Sequence, residues 1–438
     1  MAETNTKTSQ ENSAENADLS LRTHWQQIVL CWLWFFLVLL SYYCLKPVRD
    51  GLASSLAGSL GNLYLATFLT SIVGLSIYSR LIAICNRLWL LIGVYNFFVG
   101  CLLVFFFLFL SNTQQPTTVI TIFFVWVSVL NIFVVTLFWS VMADVFTPSQ
   151  GKAWFGIIAA AGSVGSITGS AVATQLSQWV GNKGLVIVSA IALELAVVIG
   201  WALLRLNANR KPNTQTSSAT SDNSGGTGGS ILAGLTRVLQ SPYLIGICLC
   251  VALGKFAGTF VYNNLQALLE VEMPDANNRT TLFAQINLYA QSGSLVMQAL
   301  IAGLIMRWLG VAAALVLPCV TMLGFFLWLS QAPVLNTLIV GQAGQQILAY
   351  GLLVPAQHVL FTVVSREDKY KSKGFTDIVV FRGSDVAAGK TCDWMIGSQI
   401  ALGTLAIAML PVVVLWGAVA AWTGLQYAKR ARPVASDV

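Results

Sequence analysis

The residues best suited to chemistry in this chain lie between Arg366 and Asp385, in the stretch REDKYKSKGFTDIVVFRGSD. Nine of its twenty residues are charged, whereas 9% of the whole chain is. Arg366, Glu367, Asp368, Lys369, Lys371 and Lys373 read as a loop facing water, and from Gly374 the sequence turns apolar yet keeps Asp377, Arg382 and Asp385. On a helix at about 100° per residue, Lys373, Asp377, Asp385 and Arg382 fall at roughly −40°, 0°, 80° and 140°, within half of the surface. A charged side chain in hydrocarbon costs at least ~2.5–3.5 kcal/mol, so this face must look into a protein interior or a water-filled cavity. Mixed signs there point to a site for a charged solute, with carboxylates holding the cations in place.

Other charges sit in apolar surroundings. The run Ser41–Asp50, SYYCLKPVRD, places Lys46, Arg49 and Asp50 three or four residues apart, on one face if Pro47 only kinks the helix. The other reading is an outer loop with solvated charges. Lys255, inside CVALGKFAGTFVYNN, is too central to snorkel comfortably, which favours a functional or paired role. Glu194 reads equally as a proton carrier or as one end of an interhelical hydrogen bond. His358 reads as a polar contact between helices in preference to a pH sensor.

Two glycine patterns resemble motifs without the chemistry. Gly165 and Gly169 form a small-residue pair that fits close helix packing. The run Gly383 to Thr391 resembles a phosphate loop but has five spacers instead of four before Gly389-Lys390-Thr391, and no strand precedes it. No ATPase site follows. Eight scattered cysteines contain no CxxC pair, so they read as small buried hydrophobes, with neither a disulfide framework nor a metal site.

The elements that must carry these residues are membrane spans. The chain has 438 residues, is 56% hydrophobic and has a mean hydropathy of +0.73, which describes a polytopic membrane protein. Its net charge of +7 is explained by cations in short loops and implies no nucleic-acid partner. Residues 1–22 are polar with four acids, unlike a signal or transit peptide, and read as a disordered cytoplasmic tail. Apolar runs give twelve spans near 27–45, 60–79, 88–110, 118–141, 154–178, 184–204, 243–265, 281–306, 310–330, 335–361, 374–391 and 398–423. The break at 207–230 is rich in Ser, Thr, Asn and Gly and reads as a flexible linker.

The expected architecture is therefore all-α: a six-helix bundle over 23–206, a second over 231–425, and a short tail at 426–438. Seventeen of the 24 cations fall on the side of the termini, which predicts both termini in the cytoplasm. A weak repeat supports two parallel halves: Lys152 with Gly162-Ser163 and Lys373 with Gly383-Ser384 are offset by 221 residues.

Beyond these readings, the chain resembles the ATP/ADP translocases, the nucleotide exchange transporters of plastids and intracellular bacteria. The resemblance rests on LKPVRD at 45–50, FWSVMADVFTPSQGKAWFG at 138–156, Arg279-Thr-Thr-Leu-Phe283, and PAQHVLFTVVSREDKYKSKGFTDIVVFRGSD at 355–385. It implies a fold like the major facilitator superfamily and strict counter-exchange of nucleotides. By position, Arg49 and Lys373 resemble basic residues that the family uses after its first and tenth spans. Lys152 fits the lysine of an acid-acid-Ala-Lys pattern, with Ser149 and Gln150 standing where the exchangers carry acids.

The reading is an alternating-access carrier in the cell inner membrane, working as a monomer on an anionic nucleotide, with no cofactor and no covalent chemistry. Lys46, Arg49, Lys255 and Arg382 would neutralise phosphates near the midplane, with Lys152 and Lys373 at the inner mouth. Asp50, Asp377 and Asp385 would pair with cations in the empty state, and Trp139 or Phe155 would stack a base. Two alternatives stay open: a proton-coupled symporter of another organic anion, using Glu194, Asp50 or Asp377, and a non-transporting membrane scaffold or regulatory subunit.

Overall fold

The computed structural model describes residues 21–111, 115–209 and 231–431, and every regular element among them is helical. The expected tail at 1–22 and linker at 207–230 lie almost wholly outside the described residues. By length and composition, nine helical runs among the described residues are able to cross a membrane. Two of these, His24–Ile82 and Ala153–Asn207, have 59 and 55 residues, more than twice the ~20 one crossing takes. Each is interrupted where the sequence predicts a boundary between spans.

The first interruption follows helix α1 (Leu21–Ala53), where a 3-10 segment, Ser54–Ser59, leads into α2 (Leu60–Ile84). Then come α3 (Arg87–Ser111), α4 (Thr117–Val145) and α5 (Pro148–Asn209). The second interruption is Gly181 within α5, at φ 63° and ψ −171°, a conformation only glycine adopts cheaply. Helix α5 starts with a capping box: the Thr147 amide donates to Gln150 Oε1 at 3.1 Å, and the Gln150 amide to Thr147 Oγ1 at 3.4 Å. Gln150 thus has a local reason to stand where a carboxylate would otherwise favour a helix start.

The remaining helices are α6 (Ile231–Gln240), α7 (Pro242–Glu272), α8 (Ala276–Val296), α9 (Gly303–Trp308), α10 (Gly310–Gln331), α11 (Leu335–Leu348), α12 (Val354–Leu360), α13 (Arg366–Phe375), α14 (Phe381–Gly397) and α15 (Leu402–Ala431). Single π turns join α8 to α9 (Met297–Ala302), α11 to α12 (Ala349–Leu353) and α13 to α14 (Thr376–Val380). The span carrying α13 and α14 is absent from the nine apolar runs because of its charges. Its first part corrects an expectation: residues 366–375 are helical. Ser365 caps them, accepting from the Asp368 amide at 3.2 Å and donating to Asp368 Oδ2 at 2.8 Å.

The described residues fall into two compact units, one within 1–48, 73–115 and 127–220, the other within 49–72, 116–126 and 221–438. The core of the first is aromatic: Trp34 is fully buried, donates to the Tyr95 hydroxyl at 3.2 Å and meets the Phe138 ring edge-on at 5.1 Å. Here Gly165 and Gly169 press against the Phe36 and Leu40 carbonyls of α1, the close packing their spacing predicts. The second unit packs α7, α10, α11, α14 and α15 around a core that includes Phe260, Phe326, Leu338, Met409 and Trp416. The charged face is carried by this unit.

Candidate functional site

Helix α7 carries the centre of the site. Lys255 Nζ lies 3.1 Å from Asp385 Oδ1 of α14, with the side chains 28% and 10% exposed. One turn on, Thr259 Oγ1 donates to the same oxygen at 2.6 Å. The ammonium also sits 4.5 Å from the centroid of the Phe381 ring. A lysine this deep needs a carboxylate, and this one has it. Asp385, expected from sequence to pair with a cation, is thus engaged by Lys255 of another helix and by Thr259.

The π turn explains part of that change. An i→i+5 turn sets an extra residue into the helix, so the regular 100° step fails between Asp377 and Arg382. Asp377 falls within electrostatic reach of Lys373, in the last turn of α13, and of His358 in α12, whereas Asp385 faces α7. The single face read from the sequence is therefore two groups.

A second ion pair stands at the end of α1. Arg49 donates from Nε at 2.9 Å and Nη2 at 2.7 Å to Asp50 Oδ1. The Tyr262 hydroxyl of α7 donates to that oxygen at 2.9 Å, and the guanidinium lies 4.9 Å from the Phe124 ring centroid. Asp50 is 2% exposed, so its charge is held by these donors and not by water. Tyr350, in the π turn after α11, lies within electrostatic reach of Asp385, Arg49, Arg382 and Asp50, which joins the two pairs into one cluster. Three cations (Arg49, Lys255, Arg382) here face two carboxylates (Asp50, Asp385).

The residues following Asp50 are tied to the same helices. Arg279 of α8 is buried and donates to the Gly51 carbonyl at 2.9 Å and the Met273 carbonyl at 3.1 Å. Ser54 donates to Gln266 Oε1, and Tyr64 donates to Asn263 Oδ1 at 2.7 Å. The Gly61 amide donates to Asp393 Oδ2 at 3.0 Å, and Lys390 Nζ donates to Asn62.

The other residues singled out from sequence lie elsewhere. Lys46 belongs to the first unit, its Nζ 5.4 Å from the Tyr43 ring centroid. Trp139 and Phe155 meet edge-on at 5.6 Å inside an aromatic run with Phe35, Phe138 and Phe146. Glu194 is exposed on α5, and Lys152 lies in the first turn of that helix. Sequence reasoning passed over Tyr262, Tyr350, Thr259 and the amides Asn263, Gln266, Gln342 and Gln346. The available signal was polarity: two amides beside one tyrosine in YNNLQ, and three glutamines in GQAGQQ, all within apolar spans.

Residues 31–372 match the Major Facilitator Superfamily. The chain belongs to that superfamily. Among solved structures, this major facilitator resembles a bacterial homologue of the iron transporter ferroportin in an inward-facing state, with a TM-score of 0.61, 11% identity, and coverage of 93% of this chain and 99% of that one. A bacterial homologue of the human lysosomal transporter Spinster, inward-facing and unoccupied, gives 0.58, 15%, 93% and 98%. The nucleoside transporter NupG gives 0.55, 13%, 93% and 98%. No curated protein matches the sequence. The protein is a multi-pass, non-enzymatic secondary transporter that moves a small molecule by alternating access. For such a carrier, the paired charges of the second unit can hold an ionic solute and release it without covalent chemistry.

Proposed function

We propose that this major facilitator exchanges nucleotides, holding their phosphates on Arg49, Lys255 and Arg382. One observation carries the reading: each of two carboxylates in the cluster neutralises a cation at 2.7–3.1 Å, and a third cation is in excess. An isolated buried charge would be costly, so Asp50 and Asp385 serve as internal stand-ins for a missing anion. A polyphosphate entering the cluster replaces them, and the released carboxylates repel it enough to let it leave. The resemblance through LKPVRD and the segment 355–385 favours nucleotides among polyanions. Lys373, near Asp377 and His358, would attract the anion before it reaches the cluster. The halves 23–206 and 231–425 would be the bodies that alternate, with both termini in the cytoplasm.

Uptake of labelled ATP by proteoliposomes tests the proposal. Uptake should require unlabelled nucleotide inside and stop when the lumen holds buffer alone. Uptake into empty vesicles driven by an acid-outside pH gradient would overturn exchange and make the protein a symporter.

A further inference from the structure

We infer that Gln342 and Gln346 of α11, with Tyr350 in the π turn that follows it, recognise the uncharged, aromatic part of the transported solute. The inference rests on the nucleotide reading and adds where the base and sugar are held. Gln342 and Gln346, four apart in α11, lie one above the other, and Tyr350 follows four residues on in the π turn. Gln342 is 5% exposed, and the Oε1 atoms of Gln342 and Gln346 are buried without a hydrogen-bond partner among the described residues. Buried acceptors of this kind are rare in a finished core, because each leaves a desolvation cost unrecovered. An exocyclic amine or a sugar hydroxyl supplies the donor they lack.

Tyr350 stands next along the chain, in the π turn. It is 47% exposed, which alone would describe a tyrosine facing lipid. Its surroundings favour polar space instead: both ion pairs of the cluster, Arg49–Asp50 and Lys255–Asp385, contribute a charged group within its electrostatic reach. The ring is therefore open to space that also contains charges, and a flat apolar surface with a hydroxyl is what a base stacks on. The backbone gives independent support. Tyr350 stands in the π turn Ala349–Leu353, a geometry frequent at functional sites, and Gly351 in that turn packs against Met297, the first residue of another. The helix is thus widened where the ring must be presented, beside Arg382 and Asp385.

Binding of two probes to purified full-length protein tests this: ATP, which carries a base, and inorganic triphosphate, which does not. Wild-type protein should bind ATP at least tenfold more tightly than triphosphate. Tyr350→Ala and Gln346→Ala should weaken ATP binding about tenfold and leave triphosphate within twofold, whereas Tyr350→Phe should keep most of the ATP affinity because the ring remains. Thermal melting separates these effects from misfolding, and Arg49→Gln should weaken both probes. Equal binding of ATP and triphosphate by the wild type, or Tyr350→Ala and Gln346→Ala variants that weaken both probes alike or neither, would overturn the inference while leaving the polyanion site standing. If the wild type binds neither probe, the nucleotide reading itself fails and the inference with it.

Discussion

Gly61 and Gly389 meet backbone against backbone: a methyl group on Gly389 would lie 2.7 Å from Gly61 Cα, and one on Gly61 would lie 2.8 Å from the Gly389 carbonyl carbon. No side chain fits on either side of this contact. It holds the start of α2 on α14, next to the hydrogen bond from Gly61 to Asp393. Both glycines belong to the second compact unit, so the contact is part of the packing of that unit.

Gly61→Val and Gly389→Val are therefore expected to disfavour this closed contact, with an overpacking cost of about 1–3 kcal/mol. Cysteines replacing Asn62 and Lys390, whose side chains touch, should crosslink readily in an otherwise wild-type chain and poorly when Gly389→Val is added. Equal crosslinking in both backgrounds would show that the glycines merely tolerate each other.

The Lys255–Asp385 pair predicts a sharp asymmetry between two double-mutant cycles. Asp385→Asn with Lys255→Gln should show a coupling of at least about 1 kcal/mol in thermal stability, as residues in contact do. Asp385→Asn with Arg382→Gln should couple less strongly, because among the described residues Asp385 is engaged by Lys255 and Thr259. Transport should be lost in every one of these variants. Strong coupling to Arg382 and none to Lys255 would contradict the observed pairing.

At the start of α5, Gln150→Ala removes the acceptor for the Thr147 amide and should lower stability by about 0.5–2 kcal/mol. Gln150→Glu keeps the acceptor and adds a negative charge at the helix N-terminus, so it should be neutral or stabilising. Melting temperatures of the two variants decide the point. A Glu variant as unstable as the Ala variant would mean that the cap contributes nothing.

Orientation has its own test. A tag inserted between residues 207 and 230 and another after Val438 should both react only from the cytoplasmic side, as the cation asymmetry predicts. Labelling of either in intact cells would invert or break the proposed topology.

The spans were legible because hydrocarbon imposes one requirement, ~20 apolar residues in a row, and the chain meets it almost everywhere. Hydropathy also separated the pairs of spans that run on as one helix, at 46–59 and 179–183, although LASSLAGSLG reads equally as a continuation of the apolar helix. The charged cluster was half legible. Lys255 and Asp385 were visible as charges that need partners, but which partner each takes depends on a π turn, and no residue type announces one. Arg49 and Asp50 were visible; Tyr262 was not, because a tyrosine in an apolar span looks like ordinary packing until its hydroxyl is located. Trp139 and Phe155 illustrate the converse: large rings beside the resemblance segment attracted a binding role, while the structure joins them to three other rings.

Arg279 has a consequence of a different kind. Its guanidinium grips the Gly51 and Met273 carbonyls, groups that never ionise, and it never loses its own proton in the physiological range. A clasp made of a permanent charge and main-chain dipoles has no titration point. Changes of pH in the physiological range therefore leave this fastening as it was. The fastening of the segment after Asp50 thus rests on groups separate from the Arg49–Asp50 ion pair.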